Sequence, residues 1–241
     1  MYNMKNQTIQ AVKVCLMVGG ACFLLSLFSG CGSGSQGPQG NPGQDVTTTT
    51  PSPTPDAVQT IVDGYNEYLV SQGQDLITPG LRCTLYNVPN MPATPCLLTS
   101  SIAGCSQISS STGYTTVATF TYTGQVNQPD QVGTAGFNLL PQAFQGLYSA
   151  NFAVTCTGYF VNTDYQYHSF DLASDDGSLL YIGGTEVVQN DGLHGSTDVK
   201  GEKYLEAEVY SFQLNYFQGP GYVELILNED GALLPAANLY H

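Results

Sequence analysis

The chain predicts an all-β fold: an antiparallel β-sandwich preceded by a short amphipathic helix and a flexible tether. Three observations carry this. From Tyr114 onward, short apolar-alternating segments follow one another to the end of the chain. They are rich in Tyr, Phe, Val, Ile and Thr, which suit a pleated, half-buried surface. Gly, Asn and Asp turns separate them at the spacing of a sandwich or barrel.

The first part of the 241-residue chain reads as targeting sequence and spacer. Residues 1–30 predict a lipoprotein signal peptide. Lys5 and Lys13 form its positive start, and Val14 to Phe28 is apolar but shorter than the roughly 20 residues a membrane-spanning helix needs. Leu27-Phe28-Ser29-Gly30-Cys31 resembles a bacterial lipobox, which implies cleavage before Cys31 and a lipid anchor on its sulfur. Phe28 departs from the commoner Leu. Gly32 stands where an Asp would tend to hold the protein at the inner membrane, so the expected location is exported and lipid-anchored, at the outer membrane or cell surface. Residues 31–55 form a tether with Gly34, Gly37, Gly40 and Gly43 at every third position, too few triplets for a collagen helix. A Thr run and Pro-Ser-Pro-Thr-Pro stiffen its end. Gly32-Ser33-Gly34-Ser35-Gln36-Gly37 spells the dinucleotide fingerprint, but no strand precedes it and no helix follows.

Charge narrows the partners. All 19 acidic residues lie beyond Cys31, opposed there only by Arg82, Lys200 and Lys203. Such a chain is repelled by phosphate backbones, so nucleic acid is excluded as a partner. Excess carboxylate suits divalent cations.

Residues 56–114 are expected to be a leading helix and a disulfide-rich loop segment packed on the main domain. Val58, Ile61, Val62, Tyr65 and Leu69 recur at spacings of three and four, predicting a helix from Asp56, its N-cap, to about Gln72. Pro79-Gly80, Pro89, Pro92 and Pro95 mark the loops that follow. Cys83, Cys96, Cys105 and Cys156 predict two disulfides with three possible connectivities. The short Cys96–Cys105 loop favours that pair, which leaves Cys83 for Cys156.

Residues 115–241 form the expected sandwich domain. Val117, Phe120 and Tyr122 open it. The further strands predicted are Asn151–Thr157, Gln166–Ala173, Leu179–Ile182, Glu186–Gln189, Tyr204–Leu205, Tyr210–Phe217 and Tyr222–Leu227.

Within this region the motif order resembles the PA-fourteen domain, the family named after protective antigen. Phe170, Leu172 and Ser174 lead into Asp175-Asp176-Gly177-Ser178. Leu180-Tyr181-Ile182, a Gly183-Gly184 hairpin and Val187 to Gly195 follow, then Gly201, Leu205 and the strand Phe212-x-Leu-x-Tyr-Phe ending in Gln218-Gly219-Pro220-Gly221. The similarity is firm from about Phe152 to Asn228. Gly183 and Glu208 depart from the Asp and Gly common in the family.

The resemblance implies a PA-fourteen-like β-sandwich and, in the lectin members, a calcium site. There an Asp-Asp pair joined by a cis peptide holds the ion at the domain tip, and a sugar completes the coordination. Asp175 and Asp176 match that pair, and Gln218 matches the amide ligand of a second loop running to Tyr222. Calcium takes six to eight oxygens, so such a set leaves positions for a ligand. Asn190, Asp191, His194 and Tyr222 are the expected rim of the ligand site. A bland reading stands beside each. Asp-Asp-Gly-Ser is also a good turn, with Gly177 free to take positive φ. Asn190-Asp191-Gly192 is another, and His194 can serve as a hydrogen-bonding stabiliser. His168 is expected to be a satisfied core or interface histidine. Tyr216, Phe217 and Tyr222 read mainly as a core stripe.

No Gly-x-Ser-x-Gly elbow, His-Glu-x-x-His or phosphate loop occurs, and no catalytic residue is assigned. The expectation is a non-enzymatic, surface-tethered lectin-like module with calcium as its cofactor and a glycan or cell-surface ligand as its partner. The alternative is a structural or protein-interaction sandwich of the cell envelope, binding neither metal nor sugar.

Overall fold

A computed structural model describes residues 55–98, 105–108, 114–133 and 136–241. The expected signal peptide, the lipidation site Cys31 and the tether up to Thr54 lie outside the described residues, as does the side chain of Asp56. Helix α1 (Pro55–Ser71) comes first, followed by β1 (Leu81–Asn87), β2 (Pro95–Cys96) and β3 (Ser106–Gln107). Next are β4 (Thr115–Tyr122), β5 (Asn127–Val132), the short helix α2 (Gln142–Gln145), β6 (Phe152–Val161), β7 (Gln166–Asp175), β8 (Ser178–Ile182) and β9 (Thr185–Asn190). The chain continues through β10 (Thr197–Leu205), β11 (Val209–Gln218), β12 (Tyr222–Glu229), β13 (Ala232–Leu233) and β14 (Leu239–Tyr240).

Two antiparallel sheets face each other. One runs β4-β1-β6-β11-β8-β9, with β14 also on β6; the other runs β10-β7-β12-β13, with β5 also on β12. Among the described residues, the exception to antiparallel pairing is the small β2–β3 ladder. Period-two alternation explains the core. Phe170 and Leu172 of β7 and Val223, Leu225 and Leu227 of β12 point inward, against Val154, Leu180, Phe212 and Leu214 of the other sheet. At the rim between the sheets, a Cβ on Gly201 of β10 would overlap the carbonyl oxygen of Val187 in β9, so the two edges close only over glycine.

The predicted helix is present and its stripe is buried as the periodicity requires. Val58, Val62 and Leu69 pack with Ile77, Val161 and Tyr240, flanked by Ile61 and Tyr65. Residues 56–114 do more than pack on the sandwich, however. β1 lies inside the larger sheet, between β4 and β6. Its inward residues Leu81, Cys83 and Leu85 are fully buried, while Arg82 is exposed. The sandwich therefore does not begin at residue 115. β10 is also longer than its predicted Tyr204–Leu205 core, because it is an edge strand whose Thr, Asp, Lys and Glu face water. Both predicted disulfides are formed, Cys83–Cys156 and Cys96–Cys105. The first joins directly paired residues of β1 and β6.

His168 is buried, as expected of a core histidine, and it is held entirely by carboxylates. Its Nε2 lies 2.8 Å from Asp164 Oδ1; its Nδ1 lies 3.1 Å from Glu229 Oε1 and 2.9 Å from Asp230 Oδ2. Burial alone would lower its pKa, but hydrogen bonds and charge from Glu229 and Asp164 outweigh it and push the imidazolium up to about 9. A pKa raised above the unfolded value of 6.5 adds stability that is complete below that pH and is lost as pH climbs through about 9. In chelator, unfolding free energy should fall by roughly 3 kcal/mol between pH 6.5 and 9. A pH titration of denaturant unfolding checks this; the same slope in His168→Gln would refute the assignment.

Candidate functional site

Three connections meet at one end of the sandwich: the β7–β8 turn with Asp176 and Gly177, the β9–β10 loop (191–196) and the β11–β12 loop (219–221). Their meeting follows from local sequence. The peptide bond between Asp175 and Asp176 is cis, as the family resemblance implies. Ser174 and Ser178 close the turn through their hydroxyls at 2.7 Å. Gly177 is not among the positive-φ glycines. Its role differs from the one expected: a Cβ there would come within 2.7 Å of Gly192 N, so glycine is required for the close approach of the β9–β10 loop.

Asp176 ties all three connections together. Its Oδ1 accepts the His194 N–H at 3.2 Å and its Oδ2 accepts the Gly219 N–H at 2.7 Å. Burial raises its pKa, and these two backbone donors work against that rise.

Asp175 is different. It is 8% exposed, and its carboxylate has no hydrogen-bond partner among the described residues. Burial, reinforced by the charges of Asp176 and Asp130, pushes its pKa up to about 6. Glu224 adds to this, while His194 opposes it. Glu224 sits directly across from Asp175 in the β7–β12 ladder. It is also buried, and its Oε2 has no hydrogen-bond partner among the described residues. A buried carboxylate left without donors is costly unless something cationic completes it. Oxygen-rich, acceptor-only and anionic, this donor set fits a calcium ion.

Other expected site residues are placed differently. Gln218 is fully buried and does not offer its amide to Asp175 or Asp176. Its Nε2 donates to the carbonyls of Gly219 (2.9 Å) and Tyr222 (2.6 Å), and its Oε1 is occupied by the Tyr216 hydroxyl. That hydroxyl also meets the Asp175 carbonyl oxygen at 2.5 Å. Gln218 thus shapes the β11–β12 loop from inside in the metal-free protein. Asn190 does not line the rim either: its amide donates to the Leu172 and Thr197 carbonyls and to Ser174 Oγ. Asp191 turns to the other side. Its carboxylate accepts the N–H groups of Leu97 (2.8 Å) and Leu98 (2.9 Å), pinning the Cys96–Cys105 loop. His194 stays beside the site but places both ring nitrogens on carbonyls, those of Gly195 and Asn190. Tyr222 is the one expected rim residue that is open, at 54% exposure, and Leu193 joins it at 52%.

Glu224 and Leu193 escaped sequence reasoning. Glu224 carried a signal, a lone carboxylate within the apolar run Tyr222-Val223-Glu224-Leu225-Ile226-Leu227, but its partner is set by strand register. The sequence matches the PA14 domain family over residues 114–230. Residues 114–230 are a PA14 domain.

No curated protein matches the chain. Among solved structures, an anti-sigma factor domain-containing protein from Clostridium clariflavum is similar at 17% identity and a TM-score of 0.48, over 68% of this chain and 47% of that one. The chain thus spans about half the length of that protein. A PA14 sugar-binding domain from an RTX adhesin gives 16% identity and a TM-score of 0.47, over 68% of this chain and 99% of that one. The epithelial adhesin 6 A domain from Candida glabrata, in complex with Galb1-3GlcNAc, gives 19% identity and 0.48, over 69% and 88%. The PA14 domain here is extended on its N-terminal side by α1 and β1, which lie before the matched residues yet belong to its core and larger sheet.

Proposed function

We propose that this PA14 domain is a non-catalytic, calcium-dependent glycan-binding module presented at the cell surface by a lipid anchor at Cys31 and the tether that follows. One observation carries the reading: Asp175, 8% exposed and with a carboxylate that makes no hydrogen bond among the described residues, lies beside Asp176 and across from Glu224, whose Oε2 is buried and unsatisfied. Asp175 and Asp176 would hold the ion. Calcium supplies a hard positive centre with coordination positions left for vicinal sugar hydroxyls. The protein's own part is to fix the geometry. Asp176 joins the three connections, Gln218 and Tyr216 set the β11–β12 loop, and Tyr222 and Leu193 give an exposed apolar rim on which a sugar face can rest.

A glycan array probed with the protein in millimolar calcium, and again in chelator, tests this. Binding that needs calcium and disappears in Asp175→Asn supports the proposal; binding that persists in chelator defeats its mechanism. A second reading also draws on the site: two backbone amides already satisfy Asp176, as in a purely structural turn. The absence of any calcium effect on binding or unfolding would favour that envelope-sandwich reading.

A further inference from the structure

We propose that His168, Glu229 and Asp230 form a second metal site, one for a zinc-class ion, at the opposite end of the sandwich from Asp175. The two places are about 23 Å apart along β7, at about 3.3 Å per residue, and share no side chain. The three donors come from two elements that the fold locks together. His168 lies near the start of β7; Glu229 ends β12, and Asp230 begins the tight turn into β13. Asp230 takes a positive φ of 50° there, and its N–H donates to the Ser169 carbonyl at 2.8 Å.

The donor atoms are placed as a coordination shell requires. His168 Nδ1, a Glu229 oxygen and an Asp230 oxygen all lie within 4.8 Å of one another. Nδ1 is 3.1 Å from Glu229 Oε1 and 2.9 Å from Asp230 Oδ2. Ligands about 2.0–2.1 Å from one zinc ion, at angles between octahedral and tetrahedral, stand about 2.9–3.4 Å apart. The second shell is built as well. The far ring nitrogen, Nε2, faces Asp164 Oδ1 at 2.8 Å, the carboxylate–histidine partnership that directs the other nitrogen's lone pair at a metal. Gln166 Nε2 steadies Asp164 through its Oδ2 at 2.8 Å, and the Ser169 N–H steadies Asp230 through its Oδ1 at 2.8 Å.

Chemistry selects the ion. One imidazole nitrogen with two carboxylates is a nitrogen–oxygen set that suits zinc and its neighbours, whereas calcium takes oxygen alone. The two ligating carboxylates balance a divalent charge. In the metal-free protein a proton on Nδ1 occupies the same place, so metal and proton compete for it. Entry is open, because the Asp230 side chain is 34% exposed while His168 is 5%. A bound ion would clamp the start of β7 to the β12–β13 turn.

The test is isothermal titration of zinc chloride into the full chain after chelator treatment, with thermal unfolding alongside. The expected result is a saturable site of one ion per chain that excess calcium does not displace, with an upward shift in Tm. Affinity should weaken at least tenfold in His168→Gln and in Glu229→Gln. Should either variant fail to fold by circular dichroism, Asp230→Asn replaces it, since its side chain is the most open of the three. Zinc binding unchanged in the folded variants, or no site tighter than millimolar, overturns the proposal and leaves His168 as an ion pair only.

Discussion

Asp175→Asn should abolish the response to calcium while leaving the metal-free fold as stable as the parent, or up to about 2 kcal/mol more stable near pH 7. The physical basis is that the Asp175 carboxylate makes no hydrogen bond among the described residues, so the fold loses nothing when its charge goes. Burial and the charges of Asp176, Asp130 and Glu224 hold its pKa at about 6, above the ordinary 3.8. A carboxylate whose pKa is raised on folding is a stability penalty. The penalty is absent below about pH 3.8, grows as pH rises, and is complete above about 6. Under the proposed calcium binding, the ion would reverse it by giving the charge a partner. At a hundred times its dissociation constant a ligand of the native state adds about 2.7 kcal/mol. Thermal unfolding at pH 7 in calcium and in chelator reads both effects at once. A variant that keeps the calcium shift would show that the ion does not bind at Asp175.

Asp176 gives the opposite pattern and so separates architecture from binding. Asp176→Ala strands two backbone donors, the half-buried N–H of His194 and the buried N–H of Gly219. The metal-free protein should lose about 3 kcal/mol, since each orphaned donor costs about 1–3. Adjacent carboxylates thus divide the work. One organises the loops and the other stays available to a cation.

The sandwich was legible where a strand has one wet face and one dry face. Phe170, Leu172 and Ser174 alternate in β7, and Leu180 and Ile182 do so in β8, so both could be placed within a residue or two. β1 was harder. Its inward Leu81, Cys83 and Leu85 alternate correctly, but Pro79-Gly80 before it and Pro89 after it read as loop, and only pairing with β4 and β6 makes it central. β10 hides its length because an edge strand needs few apolar residues. At the site, the Asp175-Asp176 turn was visible as a local motif. The directions of Gln218, Asn190 and Asp191 were not, because each is decided by a contact with another segment. Asp191 binds backbone about 93 residues away, at Leu97 and Leu98. Glu224 meets Asp175 only through the register of β12 on β7. Residue type says what a side chain can bond; register says which bond it gets.

β1 also governs the largest expected stability loss. Removing the Cys83–Cys156 bridge, as the double alanine variant, should cost about 4 kcal/mol, against about 2–3 for Cys96–Cys105. The bridges close loops of very different length, with sequence separations of 73 and 9, and the chain-entropy term grows with the logarithm of that length. Position adds to the contrast. Cys83 and Cys156 are fully or almost fully buried in the main core, so each alanine also leaves a small void between β1 and β6. The Cys96–Cys105 loop has a second anchor, because Asp191 still accepts the Leu97 and Leu98 N–H groups once the bridge is gone. Urea unfolding of the two double variants gives the comparison directly, provided the slope with urea stays constant. Equal losses would mean that β1 is held in the sheet by its ladders and packing alone, and that the long bridge adds no more than the short one.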